Sequence, residues 1–241
     1  MSSNILLALD TSTRLAGIAL YDGDRGLLSE FSWHSANRHT VELVPQIAHV
    51  LDQAGISVAD LRAVAVALGP GSFTGLRVAL SVAKGLAVSS GLTLLGVPTL
   101  DAVAYPHQGQ SLPIVALVQA GRGRVCWARY TPGQAGPGPQ GTYMLSTVSD
   151  LAGAIAHPTF FAGELMASDR ATLAGRLEEN AIFLTPARTM RRPGFLAEIA
   201  WSRLEVGDAD DPATLSPIYL HQPAEPHAAG APAIPQGGSL P

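Results

Sequence analysis

An α/β fold of two related subdomains is what this sequence predicts, on three observations. Three hydrophobic runs follow one another across short turns at the start of the chain. Helix-period and strand-like segments then alternate as far as about residue 105. A second strand-rich block begins after about residue 108. With 241 residues the chain is long enough for one large domain or two closely joined ones.

The elements follow in order. Ile5 to Leu9 is an apolar run that reads as a buried strand ended by Asp10. Leu15 to Gly23 and Gly26 to Trp33 read as two more strands, and the short turns between the three imply an antiparallel meander. Thr40 to Ala54 has the helical period, with apolar positions over about half its circumference. Pro45 falls on its polar side and should kink the helix or mark its first turns. A strand over 62–68 runs into the turn Gly69-Pro70-Gly71-Ser72, and a helix is predicted over 72–90. A strand at 92–97 and a short helix at 98–105 close the first half. In the second half, LPIVALV, RVCWARY, TYMLS and TFFAG read as strands. Helices are expected from Val148, near 169–178 and around 194–204. This organisation gives an N-terminal subdomain (1–107), a C-terminal subdomain (108–221) and a Pro-, Ala- and Gly-rich tail (222–241) that is expected to be disordered.

Composition narrows the class. Apolar residues make up 47% and charged residues 14%, which suits a large core or surfaces meant to be covered. The net charge of −4 gives no overall basic field for nucleic acid. The single cysteine, Cys126, permits no intrachain disulfide and fits a reducing compartment. The N-terminus lacks the basic start and apolar stretch of a secretion signal, and no run reaches the roughly 20 apolar residues of a membrane span. A soluble cytoplasmic protein with no membrane contact is expected.

The turn at Gly69, Pro70, Gly71 and Ser72 lies where a glycine-rich loop often holds phosphate. Its spacing fits neither the Walker A loop nor the dinucleotide fingerprint. Two readings stand. The glycines supply unusual backbone angles while Ser72 caps the helix, or free amides at the helix start attract an anion. A second candidate is Asp10, which ends the first strand ahead of small hydroxyl residues, as in some ATPases that hold magnesium-bound phosphate. No glycine follows before Gly17, and an Asx-turn from Asp10 to Ser12 accounts for the same residues.

The histidines, His34, His39, His49 and His107 among them, show no i, i+4 pair of the zinc-protease kind, so no metal site is expected. Cys126, inside a strand, reads as a core thiol. Arg122, Arg124 and Arg129 on one hairpin, and Arg188, Arg191 and Arg192 near Pro193, read as solvated faces that could also meet a phosphate backbone.

The helices carry more apolar surface than a sheet-packed stripe needs. In the second, Gly75, Ala79 and Ala83 recur every four residues and would allow close helix approach. Burial between subdomains and a partner interface both account for this. The residues marked for an interface are Val41, Val44, Ile47, Ala48, Leu51, Gly75, Leu76, Ala79, Ala83 and Leu86.

Four segments, ILLALDTSTRLAGIAL, RHTVELVPQIAHVLDQAG, VAVALGPGSFTGLRVALSVAKGLA and GVPTLDAVA, resemble the TsaB (YeaZ) family in sequence and order over residues 4–105. VCWARY and LSPIYL fit more loosely. The resemblance implies an actin-like ATPase fold (the ASKHA, ribonuclease H-like class) of two subdomains. It implies a non-catalytic scaffold subunit of the bacterial complex that transfers threonylcarbamoyl from threonylcarbamoyl-AMP to N6 of adenosine 37, in tRNAs reading codons that begin with A. The implied partners are the catalytic paralogue TsaD and the ATPase TsaE, with tRNA met through the complex. The helices matching 40–54 and 72–90 would form a bundle with TsaD or with a second copy of the chain.

In TsaD, two metal-binding histidines follow a Gly-Val. Here those positions fall at Thr99 and Val103, so no metal, no cofactor and no catalytic residue is expected. Many family members carry Asp-Ala-Arg where this chain has Gln119-Ala120-Gly121, and Arg-Gly-Glu where it has Arg122-Gly123-Arg124. The competing enzyme readings are a metallopeptidase, which needs a metal site, and a sugar-kinase-like phosphotransferase, which needs ATP. The resemblance recasts the Gly-Pro-Gly-Ser turn as a device that aims an interface helix.

Overall fold

A computed structural model describes residues 4–36, 38–132 and 139–220. The chain forms β1 (Ile5–Asp10), β2 (Leu15–Asp22), β3 (Gly26–His34), α1 (His39–Ala54), β4 (Leu61–Gly69), α2 (Phe73–Ser90), β5 (Thr93–Pro98) and α3 (Thr99–Ala104). It continues with β6 (Ile114–Gly121), β7 (Arg124–Tyr130), β8 (Met144–Thr147), α4 (Val148–Gly153), β9 (Thr159–Gly163), α5 (Ala167–Leu177), β10 (Ala181–Phe183), α6 (Pro186–Thr189) and α7 (Pro193–Glu205).

The two halves are wound alike. The first sheet has the order β3-β2-β1-β4-β5, with β1–β2 and β2–β3 antiparallel and β1–β4 and β4–β5 parallel. The second has the order β10-β9-β6-β7-β8, with the same split between antiparallel and parallel pairs. Each sheet is a meander extended by parallel strands through helical crossovers. This duplicated winding is the α/β arrangement of two related halves that the sequence predicted.

The reason lies in the strand patterns. β1 is central and covered on both faces, so it reads as a continuous apolar run. Successive side chains alternate between faces. Leu7 and Leu9 join Leu43 of α1 and Ala79 and Ala83 of α2 on one side. Leu6 and Ala8 join Leu196, Ala200 and Leu204 of α7 on the other.

That second contact exchanges helices between the halves. α7, the last helix of the chain, packs on the first sheet. α3, which ends the first half, places Leu100, Val103 and Ala104 against Ile114, Ala116 and Val118 of β6. A cut at residue 107/108 therefore separates the sheets but leaves each with a helix from the other half.

Three local differences from the sequence reading have physical causes. α1 runs unbroken through Pro45, whose missing donor falls on an exposed side of the helix. β10 and α6 were not anticipated, because elements of three and four residues show no period. The second-half helix starts at Ala167 rather than near Asp169, with Met166 ahead of it in extended conformation. The 222–241 tail and the centre of the 131–141 loop lie outside the described residues. Among the described residues no helix is long and apolar enough to cross a membrane.

Candidate functional site

Between the sheets opens a cleft of about 1290 Å³, with Arg14, Phe73, Gln119, Met166, Phe183 and Met190 among the residues of its walls. The loop after β1, Ser12 to Leu15, lines it, and the buried end of β1 lies beneath that loop. The Asp10 Oδ1 atom accepts from the Ser12 backbone N–H at 2.9 Å and from the Ser12 hydroxyl at 2.6 Å, the Asx-turn anticipated from sequence. The other carboxylate oxygen, Oδ2, accepts from Arg191 Nε at 2.5 Å.

Arg191 holds more than Asp10. Its Nη1 donates to Glu164 Oε1 at 2.6 Å, and its Nη2 donates to Thr13 Oγ1 at 3.1 Å and to the Leu15 carbonyl. The Thr13 hydroxyl in turn donates to Glu164 at 2.7 Å. The Arg191 side chain is only 2% exposed. Burial works against its charge, but the carboxylates of Asp10 and Glu164 more than offset that and keep the guanidinium protonated. Asp10 comes from the first sheet, Glu164 from the end of β9 in the second, and Arg191 from the segment leading into α7.

Sequence reasoning placed Arg191 on a solvated face, and the structure corrects this. Arg192 is also paired, donating from Nε to Glu30 Oε2 at 2.8 Å. The available signal was an aspartate ending a wholly apolar strand, which calls for a cation when buried. Nothing in the local sequence says which of the chain's arginines supplies it.

The Gly-Pro-Gly-Ser turn packs directly on the loop after β1. The Ser72 N–H donates to the Ser12 carbonyl at 2.6 Å, and the Thr11 hydroxyl donates to the Gly75 carbonyl at 2.7 Å. A Cβ on Gly71 would lie 2.2 Å from the Ser12 carbonyl oxygen, and one on Gly75 would lie 2.0 Å from that of Thr11. Gly69 has φ +98, a left-handed angle that favours glycine, whereas Gly71 is required for close approach rather than for an unusual φ. Pro70 follows Gly69 through a cis peptide bond. Ser72 caps α2 by accepting from Gly75 N–H at 3.3 Å. The amides of Ser72 and Gly75 are thus both engaged within the chain.

Histidine 39 opens α1 as a buried residue whose Nδ1 has no hydrogen-bond partner among the described residues. Burial holds its pKa below the usual histidine value, with Arg191 acting the same way and Glu42 and Asp10 opposing. His49 is exposed, and Cys126 is a buried thiol pushed up to about 11 by burial. Thr99 is buried, and its hydroxyl accepts from Gly69 N–H at 3.0 Å, while the Val103 side chain belongs to the second subdomain's core. Asp101 between them accepts at Oδ1 from Tyr130 at 2.6 Å and Tyr143 at 3.1 Å. Burial raises its pKa against the two hydrogen bonds.

A family model described as TsaD, tRNA N6-adenosine threonylcarbamoyltransferase, matches residues 32–167. The chain is 33% identical to an uncharacterized protein of Mycobacterium tuberculosis over 90% of its own length and 92% of that protein. It is likewise 33% identical to the tRNA threonylcarbamoyladenosine biosynthesis protein TsaB of Escherichia coli, over 52% of this chain and 54% of that one. The solved structure of YeaZ from Pseudomonas aeruginosa superposes with a TM-score of 0.70 at 27% identity, covering 90% of this chain and 99% of that one. This chain belongs to the TsaB (YeaZ) family.

α1 and α2 turn outward a different face from the one marked in the sequence. Ile47, Leu51, Gly75, Leu76, Ala79 and Ala83 are all buried in the chain's own core, Ala79 with no exposure at all. The every-fourth-residue stripe of small residues is turned inward. It lets α2 lie close to loop 11–13 and to the sheet instead of serving an outward crossing. The outward surfaces hold Val41 and Val44, which are 58% and 56% exposed, with Ala48 beside them on α1. On α2 they hold the partly exposed Val78, Val82 and Leu86 and the exposed Gly85 and Val88.

Proposed function

We propose that this chain is a non-catalytic scaffold subunit in tRNA threonylcarbamoyladenosine formation. Family membership supports a part in that biosynthesis. The observation that carries the scaffold reading is the apolar outer surface of α1 and α2. Val41, Val44 and Val88 stand exposed on helices whose inner faces already build the core, an arrangement suited to helix-on-helix docking. The docking partner is a TsaD-type catalytic paralogue, with a TsaE-type ATPase and tRNA joining the assembly around it. A second copy of this chain would occupy the same face when no paralogue is present. The setting is the cytoplasm.

Catalysis belongs to the partner in this reading. At the positions that match TsaD's metal histidines stand a threonine engaged with Gly69 N–H and a valine in the core, and neither side chain is a fit ligand for a catalytic metal. That chemistry also disfavours the metallopeptidase reading. The phosphotransferase reading meets Arg191 at the place where a magnesium-bound phosphate would sit.

The test is reconstitution. Purified TsaD and TsaE are incubated with tRNA and the threonylcarbamoyl-AMP donor, with and without this chain, and modified adenosine is measured by mass spectrometry of the digested tRNA. Product formation is expected to depend on the chain. Equal product in its absence overturns the scaffold role.

A further inference from the structure

We propose that Arg191 is a built-in cation, buried against Asp10 beneath the cleft, so that the subdomains are held together without a ligand and α2 is fixed through loop 10–13. The inference deepens the scaffold reading by naming what positions its docking helix. Its test uses this chain alone, so either idea can fail without the other.

Electrostatics comes first. Two carboxylates from opposite subdomains, Asp10 and Glu164, converge on a single guanidinium. Asp10 is buried and Glu164 only partly exposed, so bringing them together calls for a cation between them. In a ligand-binding cleft a divalent ion could meet that need. Here the cation is covalently part of the chain and reaches both carboxylates from separate nitrogens, while a third nitrogen reaches Thr13 and the Leu15 carbonyl. A tethered group is present at high effective concentration, so a free ion at millimolar level has little opportunity to displace it.

Mechanical continuity comes second. The loop that Arg191 grips is the one that grips α2. Asp10 orders Ser12 through two hydrogen bonds, and the Ser12 carbonyl accepts the Ser72 N–H at 2.6 Å. Thr11 reaches the Gly75 carbonyl inside the first turn of α2. The missing side chains at Gly71 and Gly75 leave no slack between loop and helix. Disturbing the guanidinium therefore disturbs the seat of α2, although Arg191 itself does not belong to the helix.

Full-length wild type, Arg191→Ala and Arg191→Ala combined with Asp10→Asn are compared by thermal melting with and without millimolar MnCl2. Hydrogen exchange is read on α2, with β7 as the internal control. Arg191→Ala is expected to melt about 6–20 °C lower, the range set by an unpaired buried charge in a chain of this size. MnCl2 should restore part of that loss saturably in Arg191→Ala, but not in the double variant or in wild type. Exchange of α2 amides should rise at least tenfold more than exchange of β7. If Arg191→Ala does not fold, Arg191→Lys carries the exchange measurement, since it keeps the charge and loses the fork. Saturable Mn²⁺ binding by wild type, an Arg191→Ala melt unmoved by MnCl2, or α2 exchange rising no more than that of β7 would each overturn the proposal.

Discussion

The Thr11 hydroxyl donates to the Gly75 carbonyl across 2.7 Å, tying the loop after β1 to the first turn of α2. This contact exists only because residue 75 has no side chain. A Cβ there would sit 2.0 Å from the Thr11 carbonyl oxygen, a backbone atom that cannot swing aside.

Two glycines of the same helix should therefore respond in opposite directions to one substitution. Gly75→Ala forces loop and helix apart and is expected to cost about 1–3 kcal/mol, the range for overpacking a close contact. Gly85→Ala meets nothing within 4 Å and lies within the same helix. It should gain about 0.5–1 kcal/mol, because alanine loses less backbone freedom on folding. Urea titration of the two variants beside wild type checks both signs. A neutral Gly75→Ala would mean that the loop yields more readily than the contact implies.

Stability and docking should separate along the helix faces. Val41→Asp and Val44→Asp place charge where the side chain is already in water, so each should stay within about 0.5 kcal/mol of wild type. Each should nevertheless abolish co-elution with the catalytic paralogue, because docking would bury an unpaired carboxylate. Ala79→Asp buries that carboxylate within the chain's own core and is expected to prevent folding. Size-exclusion chromatography of the mixtures, with a melting curve for each variant, distinguishes the cases. A well-folded Val41→Asp/Val44→Asp double variant that still co-elutes would move the docking surface elsewhere.

Much of the fold was legible because its signals are periodic. The apolar runs of β1, β4 and β6 and the 3.6-residue period of α1 made the alternation readable, and the Asx-turn at Asp10 and the cap at Ser72 are local chemistry. The orientation of α2 was harder to read. An almost wholly apolar helix has a weak directional pattern, so Ala79 and Ala83 could have faced either way until the position of Thr11 was known. Arg191 was not legible at all. Its role depends on bringing together residues 181 positions apart, and a hydrophilic Arg-Arg-Pro stretch looks the same whether it faces water or a buried aspartate.

Acid should weaken this protein in part through His39. The folded chain holds that imidazole below the usual histidine value, first by burial and then by the nearby Arg191, against the opposing pull of Glu42 and Asp10. The unfolded chain therefore takes up its proton at higher pH than the folded one. The stability linked to His39 is fully present above about pH 6.5 and is lost as pH falls from there toward the depressed folded value. His39→Gln removes the titration while keeping a polar group of similar reach, so its stability should vary less between pH 7 and pH 5 than that of wild type. Melting temperatures measured across that range at constant ionic strength give the two slopes. Parallel slopes would show that other groups, such as the buried His107, whose pKa is also lowered by burial, carry the acid sensitivity.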